Sequence, residues 1–365
     1  MMPPMIWYYL ISLPLIFTLS CGGGGGGENN TETGDGDTLN SGLEGKFLFD
    51  YYGGDAYTMD VDTGEYSQIP NTHWASQTDR FDYDAVTKSY FVSSIEHNNS
   101  EFLVTASGSS ISYIAMQDFS GNYMGQLKLV DSVKSAVMSQ DKKYVAIIRK
   151  ITGGDTWLEI YAWDGTLISD KVQRARGMIW LRDNRLLYPD GRSLYFTKPA
   201  STNVDHTLTL PNPGNGLQAG SINNSITISP DESQIAFTIV EEVGSTLFSR
   251  LYMVNIDGSE LRLLATTYND ENPRISSPQW SPDGRWLYIE EGYINTSVHT
   301  IGTKVNADMY VLPTENMGKV YYLSTDDSKR SPEVRMFWRY NTLGNEPGGV
   351  TSKAPPGAFF NWIPD

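Results

Sequence analysis

A ten-residue unit recurs along this chain and limits its fold more than any other feature. Its clearest copy is Trp280-Ser-Pro-Asp-Gly-Arg-Trp-Leu-Tyr-Ile289, and Ile228-Ser-Pro-Asp-Glu-Ser-Gln-Ile-Ala-Phe237 has the same length and the same Ser-Pro-Asp. Met138-Ser-Gln-Asp-Lys-Lys-Tyr-Val-Ala-Ile147 keeps the Ser and Asp, and Trp180-Leu-Arg-Asp-Asn-Arg-Leu-Leu-Tyr188 is one residue shorter. A looser copy pairs Phe81-Asp-Tyr-Asp84 with Tyr90-Phe-Val92. Each copy has an apolar residue, a polar turn closed by Asp, then an alternating β-prone run. This pattern predicts two antiparallel strands, a and b, joined by a tight turn. Asp84, Asp141, Asp183, Asp231 and Asp283 therefore read as turn-formers whose carboxylates accept nearby backbone N–H groups.

A second series follows the first. Tyr57, Tyr113, Tyr161, Tyr195, Tyr252 and Tyr310 each sit in a short apolar run, which reads as a third strand, c. A fourth strand, d, such as Leu261–Ala265, completes the unit. Four strands in roughly fifty residues, repeated, is the signature of an all-β propeller. Six tyrosine runs stand against five complete anchors. The chain ends Trp362-Ile-Pro-Asp365 and its folded body begins Gly45-Lys-Phe-Leu-Phe49, so end to end they copy the 280–288 unit. The expectation is a six-bladed β-propeller whose C-terminal strand pairs with the N-terminal blade, with Asp365 as the sixth turn aspartate. The long final interval, residues 326–361, leaves a degenerate seventh blade as the alternative.

The first forty residues read as an address. Residues 1–20 carry no charged side chain, are mostly apolar and are short for a membrane span, as in a secretory signal peptide. Cys21 is the only cysteine, so an internal disulfide and a Cys-based zinc site are excluded, and Gly22 to Gly27 follow it. The stretch Thr18-Leu19-Ser20-Cys21 resembles the lipobox of bacterial lipoproteins. The resemblance implies cleavage before Cys21 and its lipidation, and Gly22 behind it implies the outer membrane, facing the periplasm. Residues 21–44 form a Gly-, Asn-, Thr- and acid-rich tether of about 25 Å reach, and residues 45–365 form the folded body.

The Ser-Pro-Asp-Gly units resemble the WD40-like repeats of the TolB-type propeller, over roughly residues 45–365. That resemblance implies architecture; function must be argued from a site. The net charge of −16 argues against a nucleic-acid partner and against anionic headgroups. Strands b and c are expected to be joined by long, varied loops at 93–101, 149–157, 241–250 and 290–308, with Pro189–Arg192 the short exception. Long loops on a rigid scaffold carry binding residues, so this end is the expected working face. Its candidates are the carboxylates Glu241, Glu242, Glu290 and Glu291, the cations Arg174 and Arg176, the aromatics Tyr51, Tyr52, Trp74 and Tyr293, and His299.

No G-x-S-x-G, H-E-x-x-H or phosphate-binding glycine loop occurs, and no cofactor or metal is implied. The leading expectation is a monomeric, lipid-anchored, non-enzymatic scaffold that binds an envelope protein or peptide. The alternative is a glycan-binding or glycan-hydrolysing propeller using the loop-face carboxylates, which requires two of them in one cleft.

Overall fold

The computed structural model describes residues 43–51, 55–63, 65–70, 91–98, 101–107, 111–118, 120, 122–130, 133–150, 156–173, 177–201, 204–210, 221–243, 246–267, 274–292, 307–315, 318–338 and 361–365. The signal segment, Cys21, nearly all of the tether and Asp84 lie outside these residues. The described residues form an all-β propeller with no helix.

Among the described residues there are six sheets, given in order from strand a outward. The first is Asn361–Ile363, Lys46–Tyr51, Asp55–Asp60 and Tyr66–Gln68. The second is Phe91–Asn98, Glu101–Ser107, Ile111–Asp118 and Tyr123–Val130, and the third Val133–Met138, Tyr144–Lys150, Thr156–Ala162 and Leu167–Gln173. The fourth is Ile179–Trp180, Leu186–Asp190, Ser193–Thr197 and His206–Thr209. The fifth is Ser221–Ile228, Gln234–Val243, Thr246–Asn255 and Arg262–Thr267, with Tyr321–Leu323 added as a fifth strand. The sixth is Arg274–Trp280, Trp286–Gly292, Ala307–Pro313 and Arg335–Trp338. All six repeated tyrosines fall in the third strand of a sheet.

The Asp turns form because the carboxylate satisfies the turn's own donors. In the sixth sheet the Ser281 hydroxyl donates to Asp283 Oδ1 at 2.6 Å, the Arg285 N–H donates to the same oxygen at 3.0 Å, and the Trp286 N–H donates to Ser281 Oγ at 2.9 Å. Ser229 and Asp231 repeat this geometry in the fifth sheet, and Ser139 and Asp141 in the third. Asp183 accepts from the Arg185 N–H at 3.0 Å in the shorter fourth copy. The residue after each Asp is left-handed, with φ of 61° at Lys142, 61° at Asn184, 60° at Glu232 and 74° at Gly284. At the chain's end Asp365 instead faces Lys46, 3.7 Å from its Nζ.

Neighbouring sheets pack through apolar seams, because alternate residues of a strand face opposite sides. In strand b of the sixth sheet, Leu287 and Ile289 join Leu251, Met253 and Ala265 of the fifth sheet, while Tyr288 joins Phe47, Met59 and Trp362 of the first. Polar ties cross some seams. The Trp180 indole donates to Val137 O at 3.0 Å, Asn184 Nδ2 to Asp141 Oδ2 at 3.0 Å, and the Arg182 N–H to Glu232 Oε1 at 2.7 Å.

The last strand pairs antiparallel with Lys46–Tyr51 in the register Lys46↔Ile363, Phe47↔Trp362, Leu48↔Asn361. Trp362 meets Phe47 edge-on at 5.1 Å, and its indole N–H donates to Glu44 O at 2.9 Å. Gly45 makes the approach possible: at φ +100° a Cβ there would stand 2.5 Å from Ile363 O.

Three expectations are corrected. In the second sheet Phe91–Asn98 is strand a, not the start of a loop, because it pairs with Glu101–Ser107 through a hairpin ending at Asn98↔Glu101. The loop expected at 241–250 is mostly strand, since Gln234–Val243 pairs with Thr246–Asn255 out to Val243↔Thr246. The loop at 149–157 shrinks likewise, with Thr156 opposite Lys150. Among the described strands, only Trp286–Gly292 and Ala307–Pro313 leave a long interval between b and c, residues 293–306. No seventh sheet occurs among the described residues. Instead the segment after strand c of the sixth sheet lays Tyr321–Leu323 parallel on the outer strand of the fifth, from Ala265↔Tyr321 to Thr267↔Leu323, before Arg335–Trp338 returns to the sixth.

Candidate functional site

Glu290 and Glu291 are expected, with Glu241 and Glu242, as rim carboxylates of the loop-rich working face. Glu290 and Glu291 are instead buried, 7% and 8% exposed. They are consecutive on one strand, so they face opposite seams and share no cleft.

Glu290 lies on the face of Met309, which packs against the first sheet, and accepts from the Tyr288 hydroxyl at 3.1 Å. Burial first, then the Glu290 charge, holds the Tyr288 phenol well above its usual range.

Glu291 faces the fifth sheet. It is paired in register with Ile275 on strand a and Asp308 on strand c, and Tyr310 lies on the same face beside it. Burial raises the Glu291 carboxyl from its ordinary value to about 7. The nearby Tyr310 hydroxyl pulls the other way, and the Asp308 charge adds to the rise. Burial and both carboxylates keep Tyr310 neutral. Among the described residues no cation forms an ion pair with Glu291.

The equivalent strand-b position of the third sheet shows the balanced alternative. Counted from the turn aspartate, Arg149 stands where Glu291 does. It pairs with Glu159 Oε2 at 2.7 Å and donates to the Tyr161 hydroxyl at 2.7 Å, and that hydroxyl donates to Glu159 at 2.8 Å. Desolvation and Glu159 push the Tyr161 phenol up to about 12. Here one cation answers one carboxylate; in the sixth sheet two carboxyl groups face each other.

The turn aspartates are spoken for. In Asp231 the Ser229 hydroxyl leads in holding the carboxyl below its usual range. In Asp141 and Asp283 burial opposes the same shift, and the Ser hydroxyl, the backbone N–H and a neighbouring cation outweigh it. At this turn end a cleft of about 430 Å³ lies between the turns of the fourth, fifth and sixth sheets. Arg182, Pro230, Asp231, Trp280, Pro282 and Asp283 are among its walls. Arg182 reaches across it to the Pro230 carbonyl.

Tyr51 ends strand Lys46–Tyr51, and Glu241 and Glu242 lie on Gln234–Val243 opposite Phe248 and Leu247. Tyr52, Trp74, Arg174, Arg176, Tyr293 and His299 lie outside the described residues. Sequence reasoning passed over Asp308, Tyr310 as a polar group, and Arg182. Asp308 was findable, since it stands two residues before the repeated tyrosine.

No family model matches the chain, and no curated protein matches it. Among solved structures it is similar to a putative TolB from Agrobacterium tumefaciens, with 13% identity, 81% of this chain and 89% of that one covered, and a TM-score of 0.47. TolB from Acinetobacter baumannii shows 13% identity over 74% of this chain and 64% of that one, with a TM-score of 0.44. A protein of unknown function from Bacteroides caccae shows 13% identity over 80% and 97%, also with a TM-score of 0.44.

Proposed function

We propose that this chain is a lipid-anchored scaffold of the cell envelope: a six-bladed, closed β-propeller that binds a protein or peptide and performs no chemistry of its own. The six sheets are its blades. The closed ring is supported by the order of contacts between first strands. Phe91–Asn98 lies against Val133–Met138, that strand against Ile179–Trp180, and so on through Ser221–Ile228 and Arg274–Trp280 to Asn361–Ile363, which lies against Phe91–Asn98. In a ring of this kind the first strand of each blade is an edge that faces the centre, where it is short and sheltered by its neighbours.

The observation that carries the scaffold reading is where the carboxylates go. The described turn aspartates bond to their own turns, and Glu290 and Glu291 are buried in different seams. The rim pair that a glycan-hydrolysing reading needed is therefore not formed by Glu290 and Glu291. What supports a binding role is a rigid platform with one long connection, 293–306, between strands b and c of the sixth sheet. Cys21 then supplies the anchor and the glycine-rich segment the reach, with the outer membrane as the site.

The test has two parts. Cys21→Ser should move the protein from the membrane fraction to the soluble fraction, and persistent membrane association refutes the anchor. Replacing 293–306 by a Gly/Ser linker of equal length should abolish the crosslinks that the full-length protein makes in intact cells. An unchanged crosslinking pattern by mass spectrometry refutes the assignment of that connection.

A further inference from the structure

The seam between the fifth and sixth sheets combines features that the scaffold role does not require. It is fastened by backbone pairing as well as by packing. Residues 314–334 leave the sixth sheet, pair with the outer strand of the fifth and return, burying Tyr321 and Leu323 beside Leu251, Leu264, Leu287 and Tyr310. Thr314 is tied to both sheets: its hydroxyl donates to Gly284 O at 2.8 Å, and its carbonyl accepts from Arg262 Nη2 at 3.1 Å. Yet Glu291, 8% exposed, stands in this same apolar seam opposite a second carboxylate.

We infer that Glu291 is a proton-operated latch on this seam: the protonated carboxyl lets the fifth and sixth sheets close on each other, and its ionisation loosens them beneath the strap 314–334. The reasoning is electrostatic. A neutral carboxyl with the Tyr310 hydroxyl beside it can remain in an apolar seam at modest cost, whereas an unpaired carboxylate cannot. Strand a brings Ile275 and strand d brings Met336, while strand c brings Asp308 and Tyr310. The fifth sheet brings the apolar Ala236, Leu251, Met253, Leu264 and Ala265, and the strap brings Tyr321 and Leu323. Two cations border the seam: Arg330, which acts on Tyr310 and is itself bonded to the Ser324 carbonyl and to Asp327, and Arg262, which is bonded to Met253 Sδ and to the Thr314 carbonyl. On opening, the proton passes to water and the carboxylate gains solvent.

The sign follows from the raised carboxyl. A group whose closed-state value stands above its ordinary value holds the seam fully below the ordinary range, and that hold is lost as pH rises through the closed-state value, about 7. Between pH 5 and pH 8 the open population should rise roughly seventyfold, most of it before pH 7.

Hydrogen exchange on the full chain reads this directly. Protection factors corrected for intrinsic exchange should fall roughly seventyfold from pH 5 to pH 8 at the Ala265–Thr267/Tyr321–Leu323 ladder and along Trp286–Gly292. They should stay level in the third sheet, where Arg149 is paired. Glu291→Gln, nearly isosteric and unable to ionise, should abolish the fall. Asp308→Asn, which removes the like charge, should shrink it. Equal protection at both pH values in the unaltered protein overturns the latch, as does a full pH response in Glu291→Gln. If Glu291→Gln does not fold, an Asp308→Asn response as large as the unaltered protein's overturns it.

Discussion

Trp362 offers the sharpest test of the proposed ring closure. It belongs to the first sheet by backbone pairing, yet it packs among Leu43, Phe47, Met59, Tyr288, Met309 and Val311, so it joins the first sheet to the sixth. It is 4% exposed. A Trp buried to this extent removes roughly 200 Å² from water, worth about 5 kcal/mol at 25 cal/mol per Å². That value is an upper bound, because the unfolded chain already hides part of its apolar surface. The lost bond from its indole to Glu44 O adds about 1 kcal/mol. Trp362→Ala should therefore cost about 3–5 kcal/mol, the range of aromatic truncations in packed cores. Ending the chain at residue 360 should cost at least as much, since it also removes the three-residue ladder to Lys46–Leu48. Guanidinium unfolding followed by circular dichroism measures both. If either variant unfolds within about 1 kcal/mol of the full chain, the last strand does not hold the ring and the closure argument fails.

The close approach at Gly45 supplies a finer test of the same contact. Gly45→Ala forces a Cβ to 2.5 Å from Ile363 O at φ +100° and should lower stability by about 2 kcal/mol or more, whereas Gly191→Ala, at φ +61° with open space around it, should cost only about 1 kcal/mol. Thermal melts of the two variants decide it, and equal losses would separate backbone strain from the strand contact. The turn aspartates set the acid limb of stability. The carboxyls of Asp141, Asp231 and Asp283 lie below the usual range when folded, so their contribution is present above the unfolded value and is lost as pH falls through the folded one. Asp231→Asn should cost about 1 kcal/mol near pH 6 and flatten the decline in melting temperature below pH 4; an unchanged acid slope would refute the assignment.

The Ser-x-Asp turns were legible because everything they need is local. One hydroxyl, one carboxylate and a left-handed residue after it lie within six positions, so the sequence motif and the hydrogen-bonded object coincide. The head-to-tail pairing was legible for a related reason: the split unit still reads as a copy of 280–288 once its halves are joined. The second sheet was misread because its anchor lacks the Ser, and the hairpin signal at Asn98-Asn99-Ser100 was passed over in favour of Phe81–Asp84. The strap was not legible at all. Tyr321–Leu323 pairs in parallel with a strand more than fifty residues earlier, and parallel pairing leaves no turn between the partners to read.

The carboxylates show how a boundary error becomes a functional error. Ending strand b early, at Ile289 in the sixth sheet and near Val240 in the fifth, placed Glu241, Glu242, Glu290 and Glu291 on loops, where adjacent acids can converge on one ligand. Val243-Gly244-Ser245-Thr246 is a two-residue hairpin signal that extends the fifth-sheet strand to Val243. Once the sixth-sheet strand likewise runs to Gly292, period-two alternation alone sends Glu290 and Glu291 into different seams. The question then changes from what the pair binds to how each acid is tolerated. Tyr288 answers it for Glu290 with a donated hydrogen bond. For Glu291 the answer is a proton, since its closest charged neighbour in register is another carboxylate.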